Sequence, residues 1–351
     1  MLGRIRAGFI FINLFVILFL ATACQSEKNP GQKVFLNGAG ATFPYPLYSK
    51  WFAEYNKLHP NVIINYQSIG SGGGIQQLIT GTVDFGASDM PMTEEQSSRT
   101  RVKILHVPTA IGAVVPIYNL SSLQEQLKFT PQILAEIYSG TIKFWDDGSI
   151  VQANPGTRLP HQSTIVVHRS DGSGTTFIFT DFLSKTNINW KNSIGAGTSV
   201  NWPVGVGAKG NEGIAGLVRQ TDGAIGYVEL IYATQNNITF GRVKNRSNNF
   251  VQASLENVTN AADAYMQDMS DDFKISIVNA PGDSAYPIAS FTWLLVPILP
   301  VDRGKGKILN DFLIWMLDSG QSMTAALNYA PLPQALRRKI KNIIELIRNK
   351  E

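Results

Sequence analysis

The sequence predicts an α/β fold of mainly parallel strands, long enough to divide into two lobes. Its 351 residues exceed what a single domain usually needs, at roughly 100–200 residues per domain. After an apolar N-terminal stretch, short β-branched runs alternate with segments whose apolar residues recur every three or four positions, the pattern of strands followed by crossover helices. A hydrophobic fraction of 44% against 16% charged suits a packed core, not a disordered chain. The formal net charge is +4, and two of those charges, Arg4 and Arg6, fall in a segment expected to be removed. The small balance left, without a basic stripe interleaved with aromatics, gives no reason to expect a nucleic-acid partner.

Residues 1–23 read as a signal peptide. Arg4 and Arg6 form a positive n-region, Asn13 is the only strongly polar residue between Ala7 and Leu20, and Ala21-Thr22-Ala23 is a small-residue cleavage site. The apolar run is too short for a spanning helix and no second one follows. The mature protein is therefore expected in the periplasm or another extracytoplasmic space. Cys24, the sole cysteine, follows the cleavage site directly. It cannot form an internal disulfide, and Ala21-Thr22-Ala23-Cys24 resembles a bacterial lipobox, with Ala21 where Leu is usual. The expectation is a lipidated Cys24 holding the protein to a membrane, with residues 24–32 as a polar tether. The alternative is a chance cysteine after an ordinary cleavage site.

Strands are expected at Val62–Gln67, Val83–Ala87, Gly112–Tyr118, Thr164–His168, Ala224–Glu229 and Ser290–Val296. Leu47, Trp51, Tyr55 and Leu58 form a helical stripe read as core. Two extended stretches suggest where the chain crosses between lobes: Pro108–Tyr118, longer than one lobe's strand needs, and Ala280–Val296, with Pro281, Gly282 and Pro287 at its start. Residues 33–110 and 285–351 would then form one lobe and 111–284 the other.

Three turns of small residues each lead into a helix. Gly38-Ala39-Gly40-Ala41-Thr42-Phe43-Pro44 precedes the Trp51 helix, with Pro44 suited to a first helical position. Gly70-Ser71-Gly72-Gly73-Gly74 precedes Ile75–Thr80, which ends at Gly81. Asp171-Gly172-Ser173-Gly174-Thr175-Thr176 follows a strand and opens Phe177–Leu183. A helix start offers unpaired N–H groups and a positive dipole end, glycine permits close backbone approach, and hydroxyls add donors. Each turn alone is as compatible with ordinary capping. Together they suggest convergent helix starts around a small tetrahedral oxyanion.

Arg169 stands beside the third turn, with Asp171 two residues on. Its planar fork suits phosphate oxygens, and Asp171 could hold it in place; the alternative is a surface ion pair worth about 0–1 kcal/mol. Asp89 ends Val83-Asp84-Phe85-Gly86-Ala87-Ser88-Asp89, at the carboxyl end of a strand, the edge where open α/β sheets bind ligands. A carboxylate belongs in an anion pocket only if the anion brings its own proton. Phosphate near neutral pH carries a P–O–H and sulfate does not, so an ionised Asp89 would accept from one and repel the other. The alternative is a helix cap ahead of Met90-Pro91-Met92.

These segments resemble the substrate-binding subunit of the bacterial high-affinity phosphate ABC importer. The likeness extends to Lys143-Phe144-Trp145-Asp146-Asp147, Lys209-Gly210-Asn211-Glu212-Gly213-Ile214-Ala215 and Gly223-Ala224-Ile225-Gly226-Tyr227-Val228-Glu229, in order through most of the mature chain. The resemblance implies a type-II periplasmic-binding-protein fold, two α/β lobes on a two-segment hinge closing over dehydrated phosphate in the cleft. It implies contacts from Thr42, Phe43 (through its backbone N–H), Ser71 and Asp89 on one lobe, and from Arg169, Ser173, Gly174 and Thr175 on the other, with Asp171 orienting Arg169. It further implies permease and ATPase subunits as partners, no cofactor and no catalysis. The sequence departs from some relatives in having Gly72 where they carry a second Ser.

Other functions fit less well. A Ser173–His168 nucleophile pair would support a phosphohydrolase, but Thr175 breaks the G-x-S-x-G elbow. With four histidines and no H-x-x-x-H or cysteine-based spacing, no metal site is expected. A sulfate, molybdate or tungstate receptor conflicts with Asp89, while a lipid-anchored sensor or adhesion protein that binds phosphate stays open.

Overall fold

The computed structural model describes residues 33–123 and 125–348. The expected signal segment, Cys24 and the tether lie outside the described residues. The chain runs through β1 (Val34–Gly40), α1 (Tyr45–Leu58), β2 (Val62–Ser68), α2 (Ser71–Thr80), β3 (Phe85–Ser88), α3 (Glu94–Ser98) and β4 (Ile104–Tyr118). It continues with β5 (Lys128–Phe129), α4 (Pro131–Tyr138), α5 (Gly148–Ala153), β6 (Ile165–Arg169), α6 (Gly174–Thr186), α7 (Ile188–Ser193) and β7 (Val206–Ala208). Then come α8 (Gly210–Gln220), β8 (Ala224–Glu229), α9 (Leu230–Gln235), β9 (Arg242–Lys244), β10 (Phe250–Val251) and α10 (Leu255–Asp263). The final part returns through β11 (Ala289–Pro297) to α11 (Arg303–Asp318) and α12 (Gln334–Arg348).

Eight strands form one sheet in the order β2-β1-β3-β11-β4-β8-β6-β7. Its two ends are parallel, β2-β1-β3 and β8-β6-β7, as the strand–helix alternation predicts. The centre is not: β11 runs antiparallel to both β3 and β4, and β4 antiparallel to β8. The cause is β4, whose 15 residues span roughly 50 Å at about 3.3 Å each. Up to Ala113 it pairs with β11, and from Val114 it pairs with β8. One strand thus pairs in both halves of the sheet, and it takes in the whole apolar run Pro108–Tyr118. The second long stretch is extended only from Ala289. Pro281 and Pro287 cannot donate to a ladder, and residues 280–288 form an irregular approach, tied by the Asn279 N–H to the Pro287 carbonyl at 2.8 Å.

Helix α1 shows how the pattern packs. Leu47, Trp51 and Tyr55 are buried, with Tyr48 and Phe52 beside them. Leu58, on the same stripe, is 61% exposed; it occupies the last turn, beyond Tyr55 and its ring contacts with Phe312 and Trp315. Pro44 is the residue before the helix, and the second helical position is taken by Pro46. Trp51 is fully buried, stacks on Tyr48 at 5.8 Å and donates from Nε1 to the Gly320 carbonyl at 2.7 Å, tying α1 to the chain after α11. Trp51→Ala is expected to cost about 3–5 kcal/mol in chemical denaturation; a loss below about 1 kcal/mol would contradict this packing.

Candidate functional site

The three glycine-rich turns converge, and each does so differently from its sequence reading. Gly38–Gly40 of the first are the end of β1, leaving Ala41–Pro44 as the turn proper. In the second, the glycines belong to the helix: α2 starts at Ser71, preceded by Gly70 at φ +88 and closed by the left-handed Gly81. In the third, Ser173 caps α6, its Oγ accepting from the Thr176 N–H at 3.0 Å. Capping and exposure of a donor are therefore compatible in this residue, because a hydroxyl that accepts still has its own proton to give.

The first and third turns, and α2, meet across the cleft. Ser71 Oγ accepts from the N–H of Asp89 at 3.2 Å and from the N–H of Gly174 at 3.1 Å. The Gly72 N–H donates to the Gly172 carbonyl at 2.9 Å. A Cβ on Gly72 would sit 3.2 Å from Gly172 Cα, which gives the small residue there a physical reason: the two backbones touch. Thr42 Oγ1 accepts from Asn211 Nδ2 at 2.7 Å, and Thr175 Oγ1 accepts from the same nitrogen at 3.1 Å. Thr42, Phe43, Ser71, Asp89, Arg169, Ser173, Gly174 and Thr175 are all buried.

Arg169 is no surface ion pair. Its side chain is 1% exposed, with Nε 2.7 Å from Asp171 Oδ1 and Nη2 2.5 Å from Oδ2. Asp171 also accepts from the Gly210 N–H at 3.1 Å. Burial pushes the Asp171 carboxyl up, but the hydrogen bonds and charge of Arg169 outweigh it and hold the group below the usual carboxylate range. This two-point grip fixes the guanidinium plane and leaves Nη1 beside Thr175 Oγ1 at 3.5 Å.

Asp89 is not a helix cap. The next helix, α3, begins five residues on and is capped by Thr93 in a capping box with Gln96. Asp89 is 1% exposed, and its Oδ1 accepts from Thr292 Oγ1 at 2.7 Å. Its other oxygen, Oδ2, is buried without a hydrogen-bond partner. Burial pushes its pKa up to about 7, against the lowering effects of the Thr292 hydrogen bond, the Arg169 charge and the Ser71 hydrogen bond.

The hydroxyls share one property. In Thr42, Ser71, Ser173 and Thr175 the oxygen accepts from N–H groups, which leaves each proton for another acceptor. Four O–H donors, a buried guanidinium and one carboxylate oxygen can together surround a tetrahedral oxyanion that carries a proton. His168 is engaged elsewhere: its Nδ1 is 3.1 Å from the Arg169 carbonyl and its ring stacks on Trp202 at 5.0 Å.

Sequence reading assigned no role to the residues that support this shell. Asn211, within Lys209-Gly210-Asn211-Glu212-Gly213-Ile214-Ala215, holds Thr42 and Thr175. Tyr232 donates to the Thr42 carbonyl and Tyr329 to the Phe43 carbonyl, each at 2.6 Å. Thr292 holds Asp89. Partners separated by 190, 286 and 203 positions leave no local signal.

Known proteins resemble this chain in sequence and in fold. The PBP superfamily domain model matches residues 23–319. The phosphate-binding protein PstS of Xylella fastidiosa (strain Temecula1) is 45% identical over 311 residues, covering 88% of this chain and 85% of its own. The phosphate-binding protein PstS of Methanocaldococcus jannaschii is 36% identical, covering 92% and 89%. Among solved structures, the high-affinity periplasmic phosphate-binding protein PfluDING, bound with phosphate, aligns with a TM-score of 0.71 at 23% identity, over 88% of this chain and 93% of that one. A phosphate-bound putative phosphate ABC transporter substrate-binding protein from Clostridium perfringens aligns at 0.63 and 19%, over 86% and 100%. At these identities the structural likeness speaks for the fold, of the type-II periplasmic-binding kind.

Proposed function

The chain belongs to the PstS family of phosphate-binding proteins within the PBP superfamily, and from that premise we propose that it captures inorganic phosphate outside the cytoplasm and delivers it to an ATP-driven importer, without catalysis. The observation that carries the proposal is the donor set: four buried hydroxyls that already accept, one clamped guanidinium, and a single unpartnered carboxylate oxygen on Asp89. Thr42, the Phe43 N–H and Ser71 contact phosphate from one lobe, and Arg169, Ser173, Gly174 and Thr175 from the other. Asp89 accepts the ligand's proton, and Asp171 orients Arg169.

The lobes are residues 33–110 with 285–351, and 111–284. The change of β4 partner at Ala113/Val114 supports the first crossing, and the Val114 N–H bond to the Ile288 carbonyl at 2.9 Å supports the second. Phosphate touching both lobes favours the closed form by bridging it. The protein is periplasmic, held to a membrane by lipidated Cys24, and its partners are the permease and ATPase of the importer; the lipobox-like sequence and the family support this placement. Among the described residues no helix is long and apolar enough to cross a membrane.

Isothermal titration of the chain without its first 24 residues, against phosphate and then sulfate near neutral pH, tests the reading. One-to-one phosphate binding with sulfate at least ~1,000-fold weaker is expected, in line with sites that reject an analogue lacking a required hydroxyl. Comparable affinities would leave only an anion clamp.

A further inference from the structure

We propose that Asn211 is a positioning residue that fixes the proton direction of one ligand-binding hydroxyl on each lobe, making both Thr42 and Thr175 donors toward the cleft. The inference rests on the phosphate reading of the site and adds to it a residue that makes no contact with ligand in that reading.

Asn211 is fully buried at the start of α8. Its amide orientation follows from its surroundings, since Oδ1 accepts from the backbone N–H of Glu229 at 3.0 Å and only a carbonyl oxygen can do that. The amide nitrogen is thereby turned to the hydroxyls. Nδ2 donates to Thr42 Oγ1 at 2.7 Å and to Thr175 Oγ1 at 3.1 Å, using one N–H for each lobe. The Asn211 backbone N–H adds a second, longer donation to Thr42 Oγ1 at 3.3 Å. A hydroxyl whose oxygen receives these bonds must send its proton elsewhere. The strand-end N–H of Glu229 thus sets an amide, the amide sets two hydroxyls, and the pocket presents O–H rather than lone pairs. The same amide bridges the lobes directly, so the orientation is completed only when they close.

The test is a double-mutant cycle by phosphate titration on the mature chain. Asn211→Leu keeps the branched outline but can make no side-chain hydrogen bond. It is expected to weaken phosphate binding about thirtyfold in the wild-type background, the scale of one charge-assisted hydrogen bond. In a Thr42→Val background, with no hydroxyl there to orient, its cost should be at least about threefold smaller. A cost undiminished in the Thr42→Val background would overturn the inference. Asn211→Asp, equal in shape, gives an independent readout. Its carboxylate accepts from both threonines and turns their protons away from the cleft, so phosphate affinity should fall at pH 8. It should recover in part as the pH is lowered and that carboxyl protonates, with one O–H to give where the amide had two N–H. A pH profile parallel to wild type would also overturn the inference. Failure of the wild-type protein to bind phosphate would instead remove the reading on which it rests, and the inference with it.

Discussion

Gly174→Ala is expected to weaken phosphate binding by about a hundredfold or more while leaving the unliganded fold intact. Gly174 opens α6, where alanine is the better helix former, so nothing within its own lobe opposes the change. The opposition comes from across the cleft. A Cβ on Gly174 would lie 2.5 Å from Ser71 Oγ, 2.6 Å from Asp89 Cβ and 2.6 Å from Asp89 Oδ2. These are closer than van der Waals contact allows, and all three atoms belong to Ser71 and Asp89, both proposed to touch the ligand. Overpacking of this kind costs about 1–3 kcal/mol or more, and here the cost falls on the closed form alone. It also breaks the bond from the Gly174 N–H to Ser71 Oγ. Titration calorimetry gives the affinity, and small-angle scattering shows whether phosphate still compacts the protein. A melting temperature equal to or above wild type with lost compaction is the expected pair. Wild-type affinity would show that the lobes need not approach this closely.

Asp89→Asn should remove most of the discrimination between phosphate and sulfate. Thr292 already donates to Oδ1, so in the variant the amide oxygen keeps that bond and the amide N–H₂ takes the place of Oδ2. An acceptor becomes a donor, which sulfate can use and the phosphate proton cannot. A selectivity on the order of 10⁴–10⁵ is expected to fall to about tenfold or less, with phosphate weakened and sulfate strengthened. Unchanged selectivity in the variant would remove the proton-acceptor role.

The same carboxyl gives the wild-type protein a pH dependence of defined sign. Burial lifts Asp89 from its ordinary 3.8 to about 7, with Thr292, Arg169 and Ser71 opposing. Below that pH the protonated carboxyl can itself donate to sulfate, so sulfate affinity should rise about tenfold between pH 8 and pH 6 and then level off. The folded state holds a proton that the unfolded chain has lost, so this stabilising contribution is complete below about pH 4 and disappears as the pH rises through about 7. Asp89→Asn should flatten both profiles. A sulfate affinity independent of pH in the wild type would show that Asp89 is ionised throughout this range.

Local sequence carried a large share of the fold and the site. Strands β2 and β8 begin at Val62 and Ala224, as expected, and Gly81 ends α2 where expected, because these are properties of neighbouring residues. The three glycine- and hydroxyl-rich segments ahead of α1, α2 and α6 are legible for the same reason: glycine, hydroxyl and helix start are adjacent in the chain. The apolar run Pro108–Tyr118 likewise falls within the single strand β4.

What the sequence left open concerned partners distant along the chain. Asp89 could have been a cap until the sheet and Thr292, 203 residues away, enclosed it. Arg169 and Asp171 could have been a surface pair until burial made them a fixed fork. The direction of the Thr42 proton depends on Asn211, 169 residues on, and no spacing rule covers such a distance. The sequence alone determined the local chemistry, which groups could donate or accept and where helices could start. Tertiary structure decided which of those groups lose water, which pairs meet, and where each proton points, because desolvation and hydrogen-bond direction are set by every atom around a group and not by its neighbours in the chain.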